Sequence, residues 1–243
     1  MMARPILFSG PMVRALLDGR KTQTRRIVKP LSKRHPIVNL AEHGADIGLR
    51  TYSGRFNDPD SWGFIAAEDG ADMVLADWPE LCPYGKPGDL LWVRETWADL
   101  RGAGFGAPFG YAASTDSRGN EVRIEYGIKW KPSIHMPRVA SRLTLRITDV
   151  RVQRLQDISE EDAIAEGLER SGALDGQELY RIPRGPLPAG VRVEPFKPEG
   201  QPPIPMYLLL WDQINGDGAA AGNPWVWALT FDVLRENVDK VKP

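Results

Sequence analysis

The order of apolar and polar residues predicts a strand, a helix and a second strand at the start of the chain. An apolar segment at residues 6–8 precedes a helical pattern at 9–18, in which Pro11 suits the first turn. Gly19 then favours the end of the helix. Residues 26–28 enter the second strand.

Three later segments are also predicted to be strands. The clearest is 88–97, which opens with a Gly-Asp turn. Residues 142–152 alternate between apolar and polar side chains, and the alternation changes phase near Thr148, which predicts a β-bulge there. Residues 223–233 form the last strand, with one apolar face.

Two further helices are predicted. Residues 159–167 begin with Ser159 and Asp162 in a capping-box-like arrangement and end at Gly167. Residues 206–214 form a leucine-rich helix. The tail from Arg235 onward is polar and is predicted to be frayed.

Three stretches lack a sustained period and are predicted to be insertions on the core. The first contains a possible hairpin of residues 50–56 with 62–67, and the second a glycine-rich loop with a hairpin arm at 121–126. The third is a long excursion rich in Gly and Pro. The insertions span about 31–87, 100–128 and 169–205.

The chain has 243 residues, 42% of them hydrophobic, and no composition break separates two cores. We therefore expect a single domain over residues 1–243. The fold class expected is α+β: a small mixed β-barrel of about five or six strands, with two or three short helices and long loop or hairpin insertions.

Composition and charge narrow the function classes. Net charge is −1, but residues 20–34 and 129–154 are locally basic, which suits a defined anionic ligand better than general polyanion binding. Cys82 is the only cysteine, and the three histidines lack a metal-ligand spacing, so no metal and no cofactor is expected. No apolar run approaches the roughly 20 residues of a membrane span, so a soluble cytoplasmic protein is expected.

The basic run at residues 19–26 is the first candidate for chemistry. It holds four cations and two threonines and no acid. A lysine such as Lys21, placed among cations near Thr24, can have its pKa lowered and could accept a hydroxyl proton. A solvated basic turn is the alternative interpretation.

Other candidates lie elsewhere along the chain. Glu166 stands at the end of a helix, where the dipole disfavours a charged carboxylate; this suits a general acid or base, and an exposed helix-end residue is the alternative. Trp92, Arg94 and Glu95 place charges and an aromatic ring on one strand, which indicates either a salt bridge or a ligand pocket.

An irregular segment with two prolines follows the second insertion. Its residues Trp130, His135 and Arg138 combine an aromatic face, a donor and a cation. This mixture is typical of sites that stack and hold a nucleobase. A chance cluster that covers the end of a barrel is the alternative.

The combined pattern resembles the ASCH domain of the PUA-like superfamily, in particular the large ASCH proteins of bacteriophages and prophages. The resemblance spans nearly the whole chain. It is carried by Pro5-Ile6-Leu7-Phe8, Gly19-Arg20-Lys21-Thr22-Gln23-Thr24-Arg25-Arg26, Gly88-Asp89-Leu90-Leu91-Trp92-Val93-Arg94-Glu95-Thr96-Trp97, Ile134-His135-Met136-Pro137, Asp157-Ile158-Ser159-Glu160-Glu161-Asp162-Ala163 and Asn223-Pro224-Trp225-Val226-Trp227.

The resemblance implies a compact β-barrel with a cleft, and an association with RNA or modified nucleosides in a bacterial or phage-infected cell. Small bacterial relatives are N4-acetylcytidine amidohydrolases with a Lys/Thr/Glu site, which carries over to Lys21, Thr24 and Glu166. The present chain is more than twice as long, and the small enzymes lack the signature Trp92-Val93-Arg94-Glu95-Thr96-Trp97.

Three functions are compatible with these residues. The first is a metal-independent amidohydrolase acting on an N4-acylated cytosine nucleoside or a related modified base. In it Arg25, Arg26 or Arg94 would stabilise the oxyanion, and Trp92 or Trp130 would stack the base. The second is a binding module for RNA or a modified base, and the third is a ribonuclease.

Overall fold

The computed structural model describes residues 3–29, 37–39, 62–65, 73–74, 82–183 and 200–242. The predicted strand at 50–56 lies outside these residues. In chain order the strands are β1 (Ala3–Leu7), β2 (Gln23–Ile27), β3 (Ile37–Asn39), β4 (Trp62–Ile65), β5 (Met73–Val74), β6 (Leu90–Arg94), β7 (Trp97–Asp99), β8 (Phe109–Tyr111), β9 (Thr144–Arg154), β10 (Glu169–Leu174), β11 (Gln177–Arg181) and β12 (Trp225–Leu234). The α-helices are α1 (Gly10–Leu17), α2 (Ser117–Glu125), α3 (Glu160–Ala165) and α4 (Pro203–Asn215).

A five-stranded mixed sheet forms the centre of the molecule, in the order β1-β6-β9-β12-β2. β1 and β6 run parallel, whereas the other neighbouring strands of this sheet are antiparallel. Together with the short helices, the sheet confirms the α+β class. No helix of the described ranges is long and apolar enough to cross a membrane.

The predicted closure of the sheet into a barrel is not observed. β1 and β2 are its two outer strands, and the pairings of the described residues leave them unjoined by a backbone ladder. The side chain of Arg26 spans part of the gap and donates from NH2 to the carbonyl oxygen of Leu7, at 3.1 Å. The gap between these outer strands positions the candidate site.

The core lies on the sheet and is completed by helices. Strands β9 and β12 contribute residues that are no more than 2% exposed, among them Leu145, Ile147, Leu229 and Phe231. β9 also carries the predicted bulge: Ile147 pairs with Phe231 and Asp149 pairs with Thr230, so Thr148 is the extra residue. The phase change in the sequence is thereby confirmed.

Two of the predicted insertions differ from expectation. Residues 121–126 lie in helix α2 and not in a hairpin arm, because Asp116 caps the helix by accepting from the backbone N–H of Gly119, at 2.7 Å. No residue of α2 is buried, so the alternation of apolar and polar residues at 121–126 does not correspond to a buried face. The hairpin of this region is β7–β8, which precedes it in the chain.

The third insertion is more regular than predicted. Strands β10 and β11 form an antiparallel hairpin. Its turn is Asp175-Gly176, with φ angles of 50° and 82°, the left-handed geometry that tight hairpin turns require. Residues 184–199 of this insertion lie outside the described part of the chain.

The C-terminal tail is packed, which makes the prediction of fraying wrong. Val238 is 4% exposed and packs with Leu90 and Trp92. The side-chain amide of Asn237 donates to the carbonyl oxygens of Ser141, at 2.7 Å, and Arg138, at 2.9 Å. The tail therefore fastens the segment that leads into β9.

Replacing Asn237 with alanine is expected to lower the free energy of unfolding by about 1–3 kcal/mol, because the carbonyl of Ser141 loses its amide donor. Asp239→Ala is the matched control on the same tail: it removes an exposed ion pair with Arg138 and should cost about 0–1 kcal/mol. Urea denaturation measures both. Equal losses in the two variants would contradict this role of Asn237.

Candidate functional site

A cavity of about 260 Å³ lies in the gap between the outer strands of the main sheet. Its wall is formed by the end of β1, the start of α1, strand β2, Glu166 and helix α4. Lys21, Thr24, Arg25, Arg26 and Glu166 all line it. The structure thus brings five of the predicted site residues into one cavity.

Lys21 and Glu166 meet at the buried side of this cavity. Lys21 is 2% and Glu166 4% exposed, so the alternatives of a solvated basic turn and an exposed helix-end residue are wrong. The Lys21 ammonium nitrogen Nζ donates to Glu166 Oε2 and to the Glu166 backbone carbonyl oxygen, each at 2.7 Å. The two side chains therefore form a buried, doubly hydrogen-bonded pair.

Gly167 allows this close approach. Its φ is 101°, in the left-handed region that glycine favours. A Cβ at this position would lie 3.0 Å from the Cβ atoms of both Ala15 and Lys21. The glycine that ends α3 thus lets Glu166 sit against Lys21 and the end of α1.

Arg25 extends the pair into a network. Its NH1 donates to Glu166 Oε1 and to Gln23 Oε1, each at 3.2 Å, and its NH2 contacts Asp162 Oδ2 at 2.7 Å. The guanidinium also lies over the ring of Tyr207, 5.8 Å from the centroid. The side chain of Arg25 is 0% exposed, and its two terminal nitrogens bind partners within the chain, whereas its Nε is buried without a hydrogen-bond partner among the described residues.

Thr24 has a different partner. Its hydroxyl oxygen Oγ1 accepts from Arg26 NH1 at 2.6 Å, and the same NH1 donates to the Arg25 carbonyl at 2.9 Å. The Arg26 guanidinium stands 5.2 Å from the ring centroid of Phe8. Since Arg26 supplies a hydrogen to Oγ1, the proton of the Thr24 hydroxyl remains free for donation elsewhere.

Burial and charge shift the ionisation of the pocket residues. Burial lowers the pKa of Lys21; the charge and hydrogen bond of Glu166 oppose this shift, and Arg26 and Arg25 add to it. The pKa of Tyr207 is raised well above its ordinary value, chiefly by burial and then by the charge of Glu166. The lowered pKa suits Lys21 to the role of a base.

Tyr207 belongs to the part of the site that sequence reasoning missed. Its hydroxyl lies 3.4 Å from Glu166 Oε1. Together with Leu210, Trp211 and Ile214 it forms an i, i+3, i+4, i+7 stripe of α4 that lines the cavity. Such a stripe is the usual pattern of a core-facing helix, so the pattern alone did not distinguish a cavity wall from core.

The predicted residues of β6 and the next turn lie outside this cavity lining. Trp92 packs with Leu90 and the tail, and Arg94 lies over its ring and donates to the carbonyl of Ile134. Glu95, 1% exposed, is held by Arg142, whose Nε and NH2 donate to its two oxygens at 2.8 and 3.0 Å. The salt-bridge interpretation of this strand is confirmed.

The remaining predicted residues form no common site with the cavity. Trp130 lies under the Arg123 guanidinium, 5.4 Å from its ring centroid. His135 ends a single turn of 3-10 helix. Arg138 pairs with exposed Asp239 at 2.7 Å. Their roles in base binding therefore stay predictions.

Comparison with protein-family models, curated proteins and solved structures finds no match for the chain. Within the described ranges, no group of three or more His, Cys, Asp or Glu side chains is arranged to hold a metal ion. The case for a function therefore rests on the geometry of the cavity residues.

Proposed function

We propose that the protein is an ASCH-type amidohydrolase that acts on N4-acylated cytosine nucleosides or a related modified base. The observation that carries the proposal is the buried contact of Lys21 with Glu166 in a cavity that Thr24 also lines. A base of lowered pKa, a hydroxyl and a carboxylate are the groups that acyl transfer needs.

In the proposed reaction the Thr24 hydroxyl oxygen attacks the carbonyl carbon of the amide. Its proton passes to the uncharged Lys21 amine. The C–N bond then breaks, the exocyclic nitrogen of the base takes up a proton relayed through Glu166, and the acyl group remains on Thr24 as an ester. A water molecule, deprotonated by Lys21, hydrolyses this ester to the carboxylic acid and restores the hydroxyl.

The contacts of the arginines support a division of roles. Arg25 is bound to Glu166, Asp162 and Gln23, which leaves Arg26, in contact with Thr24, better placed to stabilise an oxyanion. No hydrogen bond joins Lys21 to Thr24 in the described structure. Catalytic hydrogen bonds often tighten only when substrate binds.

The binding-module alternative receives less support from these contacts. Lys21 and Arg25 already pair with carboxylates of the same chain, so little of their charge remains to attract a polyanion. Steeply salt-dependent RNA binding without product formation would favour this alternative. Cleavage of unmodified RNA would favour the ribonuclease.

The proposal is tested by incubating the purified protein with N4-acetylcytidine and following cytidine by chromatography. Wild type should produce cytidine. Thr24→Ala should lose at least about 100-fold in rate, whereas Thr24→Ser, which keeps a hydroxyl, should retain measurable activity. Equal rates for Thr24→Ala and wild type would contradict a threonine nucleophile, and no cytidine from wild type would contradict this substrate.

A further inference from the structure

The two oxygens of the Glu166 carboxylate are shared between two basic side chains. Oε2 accepts from Lys21 at 2.7 Å, whereas Oε1 accepts from Arg25 at 3.2 Å and lies 3.4 Å from the Tyr207 hydroxyl. Neither the sequence motif nor the Lys/Thr/Glu assignment gives Arg25 a part in this arrangement. The contacts of Arg25 indicate that it does take part in this arrangement.

The two acceptors around Lys21 Nζ match the two N–H groups of an uncharged amine. Nζ has two acceptors, the side chain and the backbone carbonyl of Glu166. An uncharged amine has two N–H groups and one lone pair, so it satisfies both acceptors without a third proton. Loss of the proton therefore costs Lys21 neither of these hydrogen bonds.

Arg25 gives Glu166 a second partner whose charge is fixed. Arg25 pairs with Glu166 and Asp162, and Asp162 also pairs with Arg151 at 3.0 Å. A guanidinium is always charged in proteins. Asp149 pairs with Arg151 in turn, at 3.2 Å. Arg25 therefore neutralises part of the charge of Glu166 whether or not Lys21 carries a proton.

We propose that Arg25 is a positioning residue that neutralises Glu166, so that Lys21 stands in the cavity as an uncharged amine ready to accept a proton. Without Arg25, the carboxylate of Glu166 would have Lys21 as its remaining cationic partner and would hold the proton on it. The expected effect on catalysis rests on the proposed function, whereas the ionisation of Lys21 does not depend on it.

The other groups around Lys21 differ in whether they favour or disfavour a positive charge on it. Arg26, on the same strand as Arg25, disfavours a second positive charge at Lys21. From α4, the Tyr207 hydroxyl reaches Oε1 of Glu166 and not Lys21. From the end of β1, the Phe8 ring lies 5.6 Å from Nζ, where it favours a cation modestly. Arg25 is thus the group that most directly competes with Lys21 for Glu166.

The direct test is an NMR titration of protein labelled at the lysine side chains, with the Lys21 signal assigned from a Lys21→Met sample. In wild type Lys21 should be largely uncharged at pH 7, with a pKa well below the ordinary lysine value of about 10.4. In Arg25→Gln this pKa should rise by about one unit or more. Arg154→Gln is the control, because Arg154 stacks on Trp225 and is not among the partners of Lys21 or Glu166.

Equal Lys21 pKa values in wild type and Arg25→Gln would overturn the inference. So would a wild-type Lys21 that is charged at pH 7, a measurement that needs no folded Arg25 variant. A shift specific to Arg25→Gln supports the inference even if N4-acetylcytidine is not hydrolysed, and that combination would reject the proposed reaction alone.

Where activity is found, kinetics add a second readout. A raised Lys21 pKa leaves less uncharged Lys21 at pH 7, so kcat/KM of Arg25→Gln should fall there and recover as the pH rises. In Arg25→Lys, which retains a cation, the midpoint of the dependence of kcat/KM on pH should lie closer to that of wild type. A loss that is equal at every pH would mean a purely structural role for Arg25 and would overturn the inference.

Discussion

Replacing Lys21 with methionine is expected to lower kcat/KM for N4-acetylcytidine by about 100- to 10,000-fold, the range typical of a lost general base. Methionine keeps most of the buried apolar stem of the lysine but supplies no proton acceptor of comparable strength. The measurement is the rate of cytidine release at several substrate concentrations. Because the base is needed both for attack by Thr24 and for deacylation, kcat should fall as well as kcat/KM.

This variant should still fold. Glu166 keeps Arg25 and Tyr207 as partners when Lys21 is absent, so its carboxylate is not left buried without a compensating charge. Lys29→Met is the matched control, since Lys29 belongs to the locally basic stretch 20–34 that also contains Lys21 but is exposed. Wild-type turnover by Lys21→Met, or an equal loss in Lys29→Met, would contradict the assigned role. A thermal melt of each variant separates loss of chemistry from loss of fold.

Replacing Arg142 with alanine is expected to cost about 3–5 kcal/mol of the free energy of unfolding at pH 7, because it leaves the buried carboxylate of Glu95 without its partner. The side chain of Glu95 is 1% exposed, and Arg142 donates two hydrogen bonds to it. The Arg142 guanidinium also lies 4.1 Å from the ring centroid of Tyr111. Urea denaturation measures the loss.

The loss should depend on pH. Burial raises the pKa of Glu95, while the hydrogen bond and charge of Arg142 lower it. A carboxyl group with a raised pKa binds its proton more tightly in the folded state, so its contribution to stability is complete below the unfolded pKa of about 4.3 and declines as the pH rises through the folded value. Removing Arg142 raises the Glu95 pKa further, so the deficit should be largest near neutral pH and smallest near pH 4.

A second substitution separates the buried charge from the rest of the contact. In Arg142→Ala, the further change Glu95→Gln removes the charge and should restore a large part of the stability at pH 7. Arg101→Ala provides the control on the β7–β8 hairpin, because its ion pair with Asp99 is surface-exposed, and it should change stability little. A pH-independent loss in Arg142→Ala would contradict an uncompensated carboxylate as the cause.

Local signals made a large part of the fold predictable. Gly19 and Gly167 mark helix ends, and both adopt the positive φ angles that this role favours. The phase change at Thr148 reports a bulge directly, because each strand residue must face one side or the other. These features are determined by residues that are adjacent in the sequence, so they could be predicted from it.

The elements that the sequence did not predict bury few or no side chains, so their packing left little pattern in the sequence. Helix α2 has no buried residue, so no 3.6-residue period was imposed on it. The β10–β11 hairpin buries only Leu179 and Tyr180 among its strand residues, which left little alternation, although its Asp-Gly turn was visible. The predicted barrel would require β1 to pair with β2, and no local pattern in the sequence determines whether these two strands pair.

The candidate site was predictable to a similar extent. The resemblance selected Lys21, Thr24 and Glu166, and the structure places all three in one cavity. It gave no indication of Tyr207 or of Arg25 as a partner of Glu166. Tyr207 is brought there by the packing of α4 against α3, and Arg25 by the packing of β2 against α3. A hydroxyl on an apolar helical stripe looks like core until its neighbour is known.

The sheet order has a consequence for how the protein is made. Within the described sheet, β2 pairs only with β12, so Thr24 aligns with Leu229, about 200 positions later in the chain. During synthesis this strand therefore leaves the ribosome about 200 residues before its neighbour in the sheet. Contacts of such long sequence separation form slowly. The wall of the cavity that β2 forms is therefore completed only after β12 has been synthesised.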